Sequence, residues 1–161
     1  MGGVVIERGF SDRRRAAIVA LLRAYEAGLG VSLCFQGFEA EITGLPGSYA
    51  PPRGQMLLAR ASGTQELVGI VAVRPMPDAP DLCEMKRLYV RPSARGTGLG
   101  RTLAVAIMEE AWRLGYRRIC LDTLPSMTEA QVLYRSLGFR PAGTGGSNPA
   151  VLLYERDLAP P

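Results

Sequence analysis

Residues 88–114 read LYVRPSARGTGLGRTLAVAIMEEAWRL, and the fold turns on them. The apolar run Leu88-Tyr89-Val90 stops at Arg91-Pro92, where a proline cannot continue a central ladder. A glycine-rich turn, Arg95-Gly96-Thr97-Gly98-Leu99-Gly100-Arg101, comes next. Beyond it Leu99, Leu103, Ala106, Ile107, Ala111 and Leu114 recur at helical spacing, with Glu109, Glu110 and Arg113 on the other side. The stretch reads as strand, glycine turn, helix. A helix N-terminus carries unpaired backbone N–H groups and about half a positive charge. Glycines let a phosphate approach that backbone, and Arg95 and Arg101 add full charges beside it. The turn is therefore expected to cradle a pyrophosphate.

Alone, the spacing Arg-x-x-Gly-x-Gly is weak in a chain with 19 Gly, in which all but one of the 19 basic residues are Arg. Its position between a strand and a helix gives it weight. The Gly-x-x-x-x-Gly-Lys-Ser/Thr loop is absent, because the single lysine, Lys86, lies upstream. The dinucleotide fingerprint also fails, since Arg101 stands where the third glycine belongs.

At 161 residues the chain is expected to form one domain, residues 1–161. No apolar run approaches the length of a membrane span, and the start lacks the pattern of a secretory leader. Cys34, Cys83 and Cys120 are few and far apart, suggesting neither a disulfide framework nor a zinc site. With no His, imidazole catalysis is excluded and no metal is expected. These features point to a cytoplasmic protein without a membrane partner. The net charge of +4 is spread along the chain except for Arg13-Arg14-Arg15, which reads as a solvated helix face, so no nucleic-acid partner is expected.

In chain order, Val4-Val5-Ile6 is a first strand. Ser11 is placed to cap a helix from Asp12, with Ile18, Leu21, Leu22 and Tyr25 on its inner face and Gly28 and Gly30 at its end. Phe35, Phe38 and Ile42 suggest a short second helix, and residues 45–52 a proline-rich loop that is either a pocket rim or a packed surface. Residues 56–61 and 67–73 form an antiparallel hairpin, 75–81 a loop, and 82–90 the strand entering the glycine turn. Residues 118–123 are another strand. A helix from Ser126 or Thr128 is closed by Gly138, residues 143–149 form a loop, and 151–154 a last strand.

The block Ala130-Gln131-Val132-Leu133-Tyr134-Arg135-Ser136-Leu137-Gly138-Phe139 lies about forty residues beyond the glycine turn. Together the two blocks resemble the GCN5-related N-acetyltransferases. The resemblance is close over residues 82–139, and residues 84–92, 45–47 and Asn148-Pro149 look like a bacterial subgroup. It implies an α/β (α+β) fold: a mixed, strongly twisted sheet of six to seven strands with about four helices, whose central strands part to admit acetyl-coenzyme A. It implies that Leu88, Tyr89 and Val90 hold the pantetheine and thioester. The pyrophosphate would lie on Arg95, Gly96, Thr97, Gly98, Leu99, Gly100 and Arg101. Tyr134 would be the general acid near the sulfur, and Glu84 or a water the base, with Asp122 a lesser candidate. Glu84, Lys86 and Leu88 share one strand face unless a bulge intervenes.

Where many relatives carry an Asn seven residues before the tyrosine, this chain has Met127, so Thr123 or a looser site would serve the pantetheine. The resemblance implies an acceptor that is a primary amine on a small molecule or peptide, and Lys86, Arg87 and Arg53 would favour one bearing a carboxylate. Neither a monomer nor a homodimer is singled out. A coenzyme-binding sensor without turnover is the alternative.

Overall fold

A computed structural model describes residues 3–33, 36–146 and 149–161. Phe35, Cys34 and Asn148, named above, lie outside the described residues. The strands are β1 (Val4–Arg8), β2 (Gln55–Ala61), β3 (Leu67–Met76), β4 (Ala79–Val90), β5 (Arg118–Thr123), β6 (Arg140–Gly145) and β7 (Val151–Asp157). The helices are α1 (Arg15–Leu29), α2 (Phe38–Thr43), α3 (Leu99–Arg113) and α4 (Thr128–Ser136). All seven strands join one sheet in the order β1-β2-β3-β4-β5-β7-β6. Neighbours run antiparallel except β4 and β5, which are parallel. Parallel strands need a crossover, and α3 supplies it. A mixed sheet flanked by four helices agrees with the architecture implied by the sequence.

The sheet is covered on both faces, which explains why β2 and β3 read as nearly continuous apolar runs. Leu57, Ala59, Val71 and Val73 face Leu103, Ile107 and Ala111 of α3 and Tyr134 of α4. Met56, Leu58, Ile70 and Ala72 face Ile18, Leu21 and Leu22 of α1 and Phe38 and Ile42 of α2. Each fully buried leucine, such as Leu103, contributes about 2 kcal/mol by leaving water. Gly69 on β3 lets α3 approach: a Cβ there would stand 2.9 Å from Leu103 Cδ1 and 3.3 Å from the Tyr89 carbonyl oxygen.

Several local expectations are corrected. Ser11 precedes a 3-10 turn (Asp12–Arg14), and its side chain makes no capping bond. Gly28 lies inside α1, which ends at Gly30 with φ +75°. Residues 75–81 are mostly strand, because β3 and β4 meet in a hairpin at Pro77-Asp78. Pro75 is tolerated there: β2 pairs with β3 only as far as Val73, so at Pro75 the strand has a neighbour on its β4 side alone. Gly143 to Gly145 belong to β6, paired to β7. Glu110 is buried, since α3 packs against the β1–β2 side and Arg8 donates to it at 2.7 Å. In residues 45–52, left open between pocket rim and packed surface, Leu45 and Tyr49 are buried while Gly47, Ser48, Pro51 and Pro52 are exposed.

Candidate active site

Two departures from regular sheet create the site, and both lie on β4. First, β4 pairs with β5 only over Leu82–Glu84 against Arg118–Cys120. Beyond Glu84 the parallel strands part, so β4 presents unpaired backbone on its β5 side from Met85 to Val90. Second, the register with β3 slips between Ala72↔Lys86 and Ile70↔Tyr89, inserting one residue into β4. Arg87 sits at this bulge with φ +63°, a strained conformation for a side chain of its size. The bulge changes the faces: Lys86, Arg87 and Tyr89 turn toward α1 and α2, while Leu88 and Val90 pack with Met85 on the α3 side. Leu88 therefore does not share a face with Glu84 and Lys86.

The gap between the parted strands holds two adjoining cavities. The inner one is barely larger than a water, about 30 Å³, and is lined by Lys86, Arg87, Leu88, Asp122, Thr123 and Tyr134, among others. The outer one, about 460 Å³, runs past Leu88, Tyr89 and Val90 to Arg95 and the first turn of α4. Tyr25, Leu29, Leu88 and Met127 line both.

At the far end stands the glycine turn. Gly96 and Gly98 have φ +78° and +81°, and nothing lies within 4 Å of a Cβ built on either. Gly98 precedes α3, whose first capping bond runs from the Thr102 N–H to the Gly98 carbonyl at 3.0 Å. The amides of Leu99, Gly100 and Arg101 thus have no helical partners, and the turn that leads to them, Gly96 to Gly98, is exposed. The Leu99 side chain is in the core, so only its amide belongs to the turn. Arg95 donates to the Val90 carbonyl at 2.9 Å and lies over the Tyr89 ring. Arg101 donates to Ser136 Oγ at 2.8 Å, tying the turn to α4, and Thr97 closes the turn by donating to the Ala94 carbonyl. These groups fit an anionic phosphate: free amides, a helix dipole, two guanidiniums and glycines that leave room.

Tyr134 projects from α4 into the inner cavity, its ring held edge-on by Phe139 at 5.9 Å. Among the described residues no protein group hydrogen-bonds its hydroxyl. Burial, then Tyr25 and Asp122, pushes its phenol well above the usual range, so it stays a proton donor. Thr123, at the end of β5, donates to the Met127 sulfur at 3.7 Å.

The α2 side of the inner cavity is charged. Arg87, with a side chain 2% exposed, forks onto both Glu41 oxygens at 2.8 Å and donates to Gln36 Oε1 at 2.8 Å. Burial opposes its charge, but Glu41 overcomes this and holds the guanidinium ionised. Lys86, also buried, reaches Gln36 Oε1 at 3.2 Å and Asp122 Oδ1 at 3.3 Å, with Glu84 4.0 Å away. Gln36 Nε2 donates to the other Asp122 oxygen at 3.3 Å. Glu84 accepts from Arg74 at 2.9 Å.

Of the residues singled out from sequence, Leu88, Tyr89, Val90, Arg95, Thr123, Met127 and Tyr134 line the two cavities. Glu84 sits behind Lys86 at the last pair of the β4–β5 ladder. The three cations expected to favour an acceptor carboxylate do not stand together at the cavity. Lys86 and Arg87 are already paired, and Arg53 lies over the Tyr116 ring, away from the cavities. Sequence reasoning missed the part of Tyr25 and Gln36 in this site. Tyr25 read as one more apolar position on α1, and Gln36 carried no signal.

A family model described as the acetyltransferase (GNAT) family matches residues 20–139. An uncharacterised N-acetyltransferase of Schizosaccharomyces pombe is 42% identical over 120 residues, covering 74% of this chain and 72% of the relative. An IAA acetyltransferase of Azospirillum brasilense is 35% identical over 112 residues, 68% of this chain and 71% of the relative. Mouse N-acetyltransferase 8B is 31% identical over 116 residues, and the match spans 48% of its length. Among solved structures, a GNAT-family acetyltransferase of Staphylococcus aureus superposes with a TM-score of 0.82 at 16% identity, over 98% of this chain and 100% of that one. At that identity the likeness speaks for the fold. The family match begins within α1 and runs through both walls of the parted strands to Phe139, and on that extent the chain belongs to the acetyltransferase (GNAT) family, enzymes that transfer acetyl groups to nitrogen.

Proposed function

We propose that the chain transfers the acetyl group of acetyl-coenzyme A to a primary amine on a small molecule or peptide. One observation carries the reading. The β4–β5 ladder stops at Glu84↔Cys120, and the resulting gap leads from the open glycine turn past Arg95 and unpaired β4 backbone to the Tyr134 hydroxyl. Acetyl-coenzyme A supplies an activated thioester carbonyl. The chain's own groups then act in order along the cleft. Amides of the glycine turn bind the pyrophosphate, and backbone of Leu88, Tyr89 and Val90 orients the pantetheine and the carbonyl. Thr123 and Met127 flank that path.

Attack by the amine expels a thiolate, and Tyr134, kept protonated by burial, donates to the departing sulfur. The amine's proton leaves through Glu84 or through a water. Glu84 Oε1 is bound by Arg74, and Oε2 lies 4.0 Å from Lys86, so Glu84 reaches the cleft most readily through a water. The test is amine-dependent release of thiol from acetyl-coenzyme A. A Tyr134→Phe enzyme should bind the coenzyme normally and turn over about 10²-fold more slowly. A variant as fast as wild type would remove Tyr134 from the reaction.

A further inference from the structure

The charges at the inner end of the cleft balance in a way that selects an acceptor. Three cations stand there, Arg74, Lys86 and Arg87, and three carboxylates, Glu41, Glu84 and Asp122. Arg87 is consumed by both oxygens of Glu41, and Arg74 by Glu84. The Lys86 ammonium has three donors and faces three oxygens, donating to Gln36 Oε1 at 3.2 Å and Asp122 Oδ1 at 3.3 Å, with Glu84 Oε2 4.0 Å away. No buried cation is left over for a ligand. Of the charged side chains that line the inner cavity, Lys86 and Arg87 are 4% and 2% exposed, whereas Asp122 is 23% exposed. Its two bonds, from Lys86 and Gln36, are both long at 3.3 Å, and a carboxylate has roughly four acceptor positions. Among the described residues Asp122 is thus the most exposed charged group lining the cavity, with acceptor positions unfilled, and it shares that cavity with Tyr134.

We propose that Asp122 receives the ammonium form of the acceptor and that the acceptor carries no carboxylate beside its reacting nitrogen. This inference rests on the acetyl-transfer reading above. An ammonium gains a charge-assisted bond to Asp122, and its nitrogen then loses a proton to the base of the proposed reaction. A neighbouring carboxylate would meet guanidinium and ammonium groups already engaged and would lie against Asp122, desolvated and unpaired. The acceptor class is therefore an amine such as a diamine or an aminoalkyl compound, in preference to the matching amino acid.

Calorimetry on the protein saturated with coenzyme A tests this, using the pairs cadaverine and lysine, agmatine and arginine, and phenethylamine and phenylalanine. The carboxylate-free member of at least one pair should bind about tenfold more tightly or better. Asp122→Asn should remove that preference with coenzyme A affinity unchanged, and Asp122→Glu should keep part of it. Equal or tighter binding of the amino acids throughout, or a preference that survives in Asp122→Asn, overturns the inference and leaves the acetyl-transfer reading intact. Wild type that fails to bind coenzyme A strikes that reading instead, and this inference with it.

Discussion

Replacing Glu41 by Gln should unfold the protein more easily by an amount that the geometry of one ion pair sets. Arg87 is nearly inaccessible and donates two 2.8 Å bonds to the carboxylate of Glu41, itself 12% exposed. Removing one partner of a buried pair costs about 3–5 kcal/mol, because the other charge stays buried without compensation. Glutamine can still accept one bond, which puts the expected loss near the lower end, about 3 kcal/mol. The same fork pins Arg87 in its strained bulge conformation, so release of that strain offsets part of the loss and also favours the lower end. For a chain of this length the loss corresponds to a fall in Tm of roughly 6–12 °C.

The pH dependence gives a second check on the same pair. Burial alone would raise the Glu41 carboxyl, but the bonds and charge of Arg87 outweigh it and hold it below its ordinary value. A depressed carboxylate adds stability above its unfolded pKa, about 4.3, and loses it as the pH falls through the lower folded value. The difference between wild type and Glu41→Gln in urea denaturation should therefore be full at pH 7 and shrink below about pH 4. A loss under about 1 kcal/mol at pH 7, or a gap that persists at low pH, would refute the reasoning.

Gly69→Ala should cost about 1–3 kcal/mol, because the new methyl meets Leu103 at 2.9 Å and the Tyr89 carbonyl at 3.3 Å; denaturation at an unchanged m-value reads it. Tyr49 and Tyr134 both have phenols pushed up, chiefly by burial, so the native state holds protons that the unfolded state releases above about pH 10. Stability should fall as the pH rises past that point, and Tyr49→Phe should fall less steeply in alkaline denaturation; equal slopes would contradict this. Burial holds the Cys83 thiol up and raises the Cys120 thiol to about 12. Peptide mapping after iodoacetamide treatment should find both unmodified in the native protein and both alkylated in urea.

The elements nearest the glycine turn were legible in the sequence because several signals agree there. The run at Leu88–Val90 ends at a proline, the glycines supply positive φ, and the apolar spacing of α3 starts at once. Tyr134 was legible through its block, whose Gly138 does turn left-handed at φ +88° after α4. What escaped depended on pairing between distant residues. The bulge at Arg87 has no local marker, since an arginine at φ +63° is held there by Glu41, 46 residues away. That single inserted residue reverses the face of everything after it, so Leu88 falls on the other face from Glu84 and Lys86, the case in which a bulge breaks the alternation. The positive charges near the cleft were visible one by one. Their neutralisation by Glu41, Glu84 and Asp122 arises from three separate elements and could not be read from any one stretch.

The central claim is that the parted strands and the glycine turn form one coenzyme site, and a thermal shift with acetyl-coenzyme A tests it most directly. At a hundredfold excess over Kd the wild type should gain about 2.7 kcal/mol, a rise of several degrees. Gly98 has φ +81°, which Asn and Asp tolerate better than other side chains, so Gly98→Asn and Gly98→Asp differ mainly in charge. The account predicts a clear shift for wild type, a reduced one for Gly98→Asn and none for Gly98→Asp. No shift in wild type, or an equal shift in Gly98→Asp, would contradict it.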